Sequence, residues 1–192
     1  MRTYAVVPAA QQYLVIYELE FPTAGGLADF AKYQHQAVLD KKIGRGSPGG
    51  SALRVETAAG AYYEQVSRRV GVSDFAPGSV IILYSDPATG TPDEEFRRHC
   101  DAHLQYAVSK LGFRSAAQYR VTPLNEDSMP TRWVVTNRYM TLYGLEAGGE
   151  SALNEAADAV RSTLESSSGA LVDLAGARMQ AYRRISEPRS GG

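Results

Sequence analysis

Residues 91–113 read TPDEEFRRHCDAHLQYAVSKLGF and hold two of the three histidines and the only cysteine. Thr91 fits a helix N-cap and Pro92 the first helical position, with Asp93 and Glu94 in the first turn. Thr-x-x-Glu at this spacing makes a capping box, and carboxylates there face the positive end of the helix dipole. Gly112 suits the left-handed residue that stops a helix. Phe96, Cys100, Ala107 and Leu111 recur at helical spacing as an apolar stripe. His99 and His103 are four apart and share one face beside that stripe. An imidazole set between a core and a cavity suits proton transfer.

Working outward, Ser79 to Ser85 (SVIILYS) is an almost unbroken apolar run between Pro77-Gly78 and Asp86-Pro87, which predicts a strand covered on both faces. After the helix, strands are predicted over residues 115–122, 138–146 and 177–185, with an amphipathic helix over 151–165. Before it come strands at 2–7, 13–21 and 61–70, a helix over about 27–39, and a Gly/Ser/Pro-rich loop at 41–60. That loop carries Lys41, Lys42, Arg45 and Arg54 but no P-loop pattern, and reads as solvated. Residues 187–192 read as a disordered tail.

Two parts of the chain match. YLVIYELE at 13–20 aligns with YMTLYGLE at 139–146, each followed by a Gly-Gly turn and a helix. Gln65, Arg68, Arg69 and Val70 likewise match Gln180, Arg183, Arg184 and Ile185. An internal duplication is expected. Residues 78–186 show the complete split β-α-β, ferredoxin-like order, while 1–72 lack its first strand and helix. The expected fold is α+β: one complete and one N-terminally truncated repeat in tandem, their sheets enclosing a cavity. The truncated repeat leaves a sheet edge and part of a face uncovered, so a homodimer is expected.

The chain has 192 residues, 44% hydrophobic and 21% charged, with a net charge of -1. That balance argues against a nucleic-acid or acidic-membrane surface. One cysteine excludes an intrachain disulfide and fits a cytoplasmic setting. The N-terminus does not read as a signal peptide: Gln11-Gln12 interrupt its apolar residues, and Glu18 and Glu20 follow. No apolar run nears the roughly 20 residues that span a bilayer. The 12 tyrosines would suit a pocket for an apolar or aromatic ligand.

The segment Glu95-Phe96-Arg97-Arg98-His99-Cys100-Asp101-Ala102-His103, followed by Gly112-Phe113-Arg114-Ser115-Ala116, resembles the EthD-like branch of the dimeric α+β barrel superfamily. Glu95, Phe96, Asp101, His103, Gly112, Phe113 and Tyr119 match the pattern of that branch. His99, Cys100 and Ala102 stand where Trp, Tyr and Glu are usual, Leu111 where Pro is, and Gln118 where Arg is. The resemblance implies a dimeric barrel with His103 at a cavity entrance, acting as acid or base. It also implies a small enzyme of isomerase, cyclase, dehydratase or decarboxylase type, working without a cofactor on an aromatic, polyketide-like or lactone-like molecule. The fold hosts other chemistry, so a cofactor-free or haem-dependent oxygenase and a non-catalytic binding or assembly protein are the alternatives.

The candidate site follows. His103 is the proton-transfer residue and His99 its partner, with Tyr143 and Arg120 across the cavity to stabilise an oxyanion. Tyr119, Tyr139, Tyr182, Arg138, Arg178 and Trp133 are the expected substrate-binding residues. Strand alternation puts Tyr139, Thr141, Tyr143 and Leu145 on one face, more polar than the other and suited either to a ligand cavity or to a contact between sheets. His99-x3-His103 with Cys100 is the sharpest metal pattern, but no further ligand stands at metal spacing, so no metal is expected.

Overall fold

The computed structural model describes residues 2–7, 13–16, 20, 25–39, 61–72, 77–122, 137–167 and 171–184. The strands are β1 (Arg2–Val7), β2 (Tyr13–Ile16), β3 (Tyr63–Gln65), β4 (Val70–Gly71), β5 (Ser79–Ser85), β6 (Ser115–Val121), β7 (Tyr139–Leu145) and β8 (Arg178–Arg184). The helices are α1 (Gly26–Leu39), α2 (Asp93–Lys110) and α3 (Glu150–Ser167). The strand predicted over 61–70 is broken into β3 and β4; of the strand predicted over 13–21, β2 covers Tyr13–Ile16, and residues 17–19 and 21 lie outside the described residues. The loop at 41–60, Trp133 and the tail at 187–192 lie outside the described residues.

By its internal contacts the chain divides into two units. One holds residues 1–18, 65–120 and 137–192; the other holds 19–64 and 121–136. In the second unit, Phe30 meets Tyr62 edge-on at 6.5 Å, and the Thr122 N–H donates to the Tyr62 carbonyl at 3.0 Å. β3 straddles the two units.

The first unit is built on an antiparallel sheet in the order β2-β1-β8-β5-β7-β6, with β4 also paired to β6. Within it, β8-β5-β7-β6 with α2 and α3 as crossovers is compatible with a ferredoxin-like α+β fold. β2 and β7, which carry the matched YLVI and YMTL segments, lie in this one sheet, β2 outermost and β7 between β5 and β6. β5 is central, as its apolar run requires: Val80 and Ile81 are fully buried and Ile82 is 1% exposed. Each such side chain contributes about 1.5–3 kcal/mol on burial.

Alternation sorts the core. Ile81, Leu83, Tyr143, Ala116 and Ala181 face the helices, where they meet Leu104 and Ala107 of α2 and Leu153, Val160 and Leu164 of α3. Val80, Ile82, Leu142 and Tyr182 form a second cluster on the opposite face, with Tyr84, Tyr119 and Met140 against it. The Tyr139/Thr141/Tyr143 face therefore lies beneath α2. Gly144 belongs to the opposite face, where an added Cβ would come within 2.6 Å of Ser115 Oγ and 3.2 Å of Pro77 Cβ.

α2 starts one residue later than the capping box places it. Pro92 is the N-cap, with extended backbone and no side-chain cap bond. A proline cannot supply a capping oxygen, so the Thr91–Glu94 spacing is one residue out of phase. Its C-terminus agrees with expectation: Gly112 has φ +79°, and the Ala107 carbonyl accepts the Leu111 N–H at 3.1 Å and the Phe113 N–H at 3.3 Å as the chain turns back.

At the other end of the sheet, Asp86 follows β5. Its carboxylate accepts the Arg138 N–H at 2.8 Å and Asn137 Nδ2 at 3.0 Å, and its carbonyl accepts the Asp173 N–H at 2.9 Å. One residue thus ties the approach to β7 and the turn before β8 to the end of β5.

Candidate functional site beneath the second helix

α2 crosses over β7 and β6 and buries Phe96, Cys100, His103, Leu104 and Ala107. The predicted stripe is correct in phase, but it includes His103, which is only 5% exposed. The His103 Nδ1 and Tyr143 hydroxyl are 3.1 Å apart, with the rings edge-to-face at 5.9 Å. Phe113 closes on the other side of Tyr143 at 5.1 Å between ring centroids. The remaining imidazole nitrogen, His103 Nε2, is buried and has no protein partner; His99 Nε2 is in the same condition.

Across the ladder from Thr141 stands Gln118 of β6. Its backbone is held twice over. The N–H donates to Ser67 Oγ at 2.8 Å, and the carbonyl accepts the Val66 and Ser67 N–H groups at 3.0 and 3.3 Å. Its side chain is 0% exposed, and neither Nε2 nor Oε1 has a hydrogen-bond partner. Cys100 lies beside it. Burial pushes the Cys100 thiol up to about 12; the Gln118 amide opposes that shift and Asp101 adds to it. The amide and thiol are adjacent without a hydrogen bond of ordinary geometry.

The cluster is uncharged near neutral pH. Burial, with His99 adding, lowers the His103 pKa from 6.5 to about 4. His99 is lowered as well, through burial. Tyr143 is raised well above its ordinary value by burial and then by Cys100, while a hydrogen bond with the Thr141 side chain opposes the shift. Desolvation dominates throughout because imidazolium, thiolate and phenolate all lose water's stabilisation there. The result is a neutral imidazole, fixed by a phenol at Nδ1 and able at Nε2 to accept or donate a proton according to its tautomer.

The structure brings His99, His103 and Tyr143 together and distributes the other expected residues elsewhere. Arg120 shares their face but pairs with Tyr139, whereas Ala116 pairs with Tyr143. Arg120 and Tyr143 are thus four positions apart, roughly 13 Å at about 3.3 Å per residue. The Tyr139 hydroxyl donates to Asp93 at 3.1 Å, and its ring packs on Phe96 at 4.8 Å. Arg138 is exposed and bridges Asp93 at 3.3 Å and Asp86 at 3.6 Å.

Tyr119, Tyr182 and Arg178 belong to the opposite side of the sheet, where their polar groups are engaged. Arg69 donates to the Tyr119 hydroxyl at 3.2 Å, and the Tyr182 hydroxyl donates to Gln180 at 2.6 Å. Arg178 donates to Asn137 Oδ1 at 3.4 Å and lies over the Tyr84 ring at 5.6 Å. Burial and the neighbouring Tyr84 raise the Tyr182 pKa, with Arg178 opposing.

Sequence reasoning missed Gln118 as a site residue. Its signal was a single amide in the small, buried run Ser115-Ala116-Ala117-Gln118, a place where a polar side chain needs a reason. Among the described residues no three His, Cys, Asp or Glu side chains group as a metal site. No described helix is long and apolar enough to cross a membrane. Grooves of about 30 and 160 Å³ lie elsewhere, along α3 and β8, sharing Arg161 and Met179 in their walls. No family model matches the chain, and no curated protein or solved structure does either.

Proposed function

We propose that the chain is a small cofactor-independent enzyme of the EthD-like, dimeric α+β barrel kind, moving protons on an aromatic, polyketide-like or lactone-like substrate. The observation that carries this reading is the buried, partnerless Nε2 of a neutral His103 whose other nitrogen is held by Tyr143. Buried polar atoms without partners are rare, and those that persist call for an explanation such as catalysis. In one tautomer Nδ1–H donates to the phenol and Nε2 takes a proton from the substrate. The cation then returns that proton at another position, completing an isomerisation, cyclisation or elimination.

The burial that keeps His103 neutral also makes it a weak base. The substrate must therefore carry an acidified proton, as carbon between two carbonyls does. The β8-β5-β7-β6 order beneath two helices supports the family reading, and the single cysteine supports a cytoplasmic setting. A homodimer of tandem-related halves belongs to the same proposal. Light scattering that gives a monomer at micromolar concentration would count against it.

The test needs no known substrate. A panel of 1,3-dicarbonyl and aryl ketone compounds is incubated in D₂O, and loss of the acidic C–H signal is followed by NMR. The protein should accelerate exchange for at least one member, and His103→Gln should be about a hundredfold slower with its circular dichroism unchanged. Equal rates with both proteins would sink the assignment.

A second reading, a non-catalytic binding or assembly protein, is favoured by one observation: neither groove along α3 and β8 is lined by His103. Ligand binding without exchange of any panel member would select it.

A further inference from the structure

We propose that β2 is the contact through which two copies of this chain join, each laying its outer edge antiparallel against the other's so that the two sheets run on into one. The inference rests on the homodimer of the proposed function and deepens it by placing the contact and naming the residues that make it.

The two matched strands have equivalent neighbours on one side and differ on the other. Residues 13–16 are set against 139–142, and Tyr4 against Tyr119. Tyr4 then pairs with Leu14 as Tyr119 pairs with Met140, and Ala5 with Tyr13 as Arg120 with Tyr139. The two pairs toward Arg2 and Ile16 follow the same correspondence, with no shift of register. β1 therefore stands to β2 as β6 stands to β7. On its other side β7 pairs with β5, where Tyr139 to Leu142 lie opposite Ser85 to Ile82. β2 is outermost in the sheet, and among the described residues no strand pairs with its other side.

That edge is open to pairing. Strand edges are normally blunted by charge, proline or a bulge. Tyr13-Leu14-Val15-Ile16 contains no charge and no proline, and its register to β1 is unbroken. The complete repeat indicates what suits such an edge: Ile82-Leu83-Tyr84-Ser85, uncharged and antiparallel to β7. A second β2 has that chemistry, sharing Ile, Leu and Tyr with it. A strand paired antiparallel with its own copy makes an isologous contact. Each copy caps the other, and the assembly closes at two. A twofold axis at Leu14 or Val15 sets position 14 opposite its copy or diagonally across from it, within reach of an introduced charge.

Light scattering and amide exchange by mass spectrometry, both on the full chain, test the contact. Wild type should be a dimer, and its β2 amides should exchange about tenfold more slowly at roughly 10 µM than at roughly 0.1 µM protein, while β7 amides do not change. Leu14→Lys and Leu14→Glu should each be monomeric through like-charge repulsion, and an equimolar mixture should recover the dimer. A dimer that persists in both variants, a mixture that stays monomeric, or β2 exchange independent of concentration would each overturn the proposal. The exchange measurement on wild type decides the matter even if neither variant folds.

The outcomes separate the claims. A dimer insensitive to charge at position 14 refutes only this contact. A monomeric wild type refutes the homodimer as well, and the assay on His103 tests the acid/base reading independently of both.

Discussion

α2 and α3 are both 18 residues long and pack over the same face of the same sheet, yet they bury different chemistry. α3 buries Leu153, Val160 and Leu164, and the hydroxyls of Ser151, Thr163, Ser166 and Ser167 bond within the helix. Thr163 Oγ1 donates to the Ala159 carbonyl at 2.7 Å, and Ser151 Oγ to Glu155 at 2.8 Å. α2 buries Phe96, Leu104 and Ala107 but adds Cys100 and His103, and leaves a nitrogen of both histidines without a partner. One helix is accounted for by packing alone. The other carries polar groups that packing does not explain, and such exceptions concentrate where a protein does its work.

The contrast can be broken from either side. On α3, Leu153→Ala should cost about 2–5 kcal/mol of stability by leaving a cavity in the shared core, read as a lower urea midpoint. A loss well below 1 kcal/mol would mean that α3 is not the packing helix described. Under α2, acidification should matter most. The unfolded imidazole of His103 takes up its proton near pH 6.5, the folded one only near 4. The stability associated with its neutral form is therefore whole above pH 6.5 and lost as pH falls from 6.5 to about 4, amounting to about 3 kcal/mol. His99 is shifted in the same direction and adds to the loss. Urea midpoints between pH 4 and 7 that match in wild type and His103→Gln would contradict this.

His103→Gln should slow proton exchange about a hundredfold, equivalent to roughly 2.7 kcal/mol of barrier, whereas Leu153→Ala should leave the rate of the folded fraction intact. The smallest effect has the opposite sign. Gln118→Met removes two unpaired polar atoms at nearly constant volume and should raise stability by about 1 kcal/mol. Destabilisation instead would show that the amide has a structural partner after all.

How far the fold was legible depended on what set each element. SVIILYS could be read because a strand buried on both faces needs an unbroken apolar run. The α2 stripe could be read because Phe96, Cys100 and Ala107 keep helical spacing. The cap was misplaced by one residue because Thr91 and Pro92 both carry start signals, and only backbone geometry separates them. For the site, helical periodicity paired His99 with His103, and the strand period put Tyr143 on the more polar face. The period could not say which side of the sheet the helices would cover. Tyr119, Tyr182 and Arg178 were therefore grouped with His103 although the sheet stands between them. Gln118 was hidden for the same reason: its importance comes from β6 pairing beside β7, a contact between positions 118 and 141.

The bonds of Asp86 bear on how this site keeps its handedness. A slip of one position between β5 and β7 would turn every β7 side chain over, carrying Tyr143 away from His103 and Leu142 into its place. Asp86 opposes that slip at the point where the chain returns, by taking hold of the Asn137 amide and the Arg138 N–H. The indexing mark is thus on the strand ends: the two residues leading into β7 are gripped by the residue that follows β5.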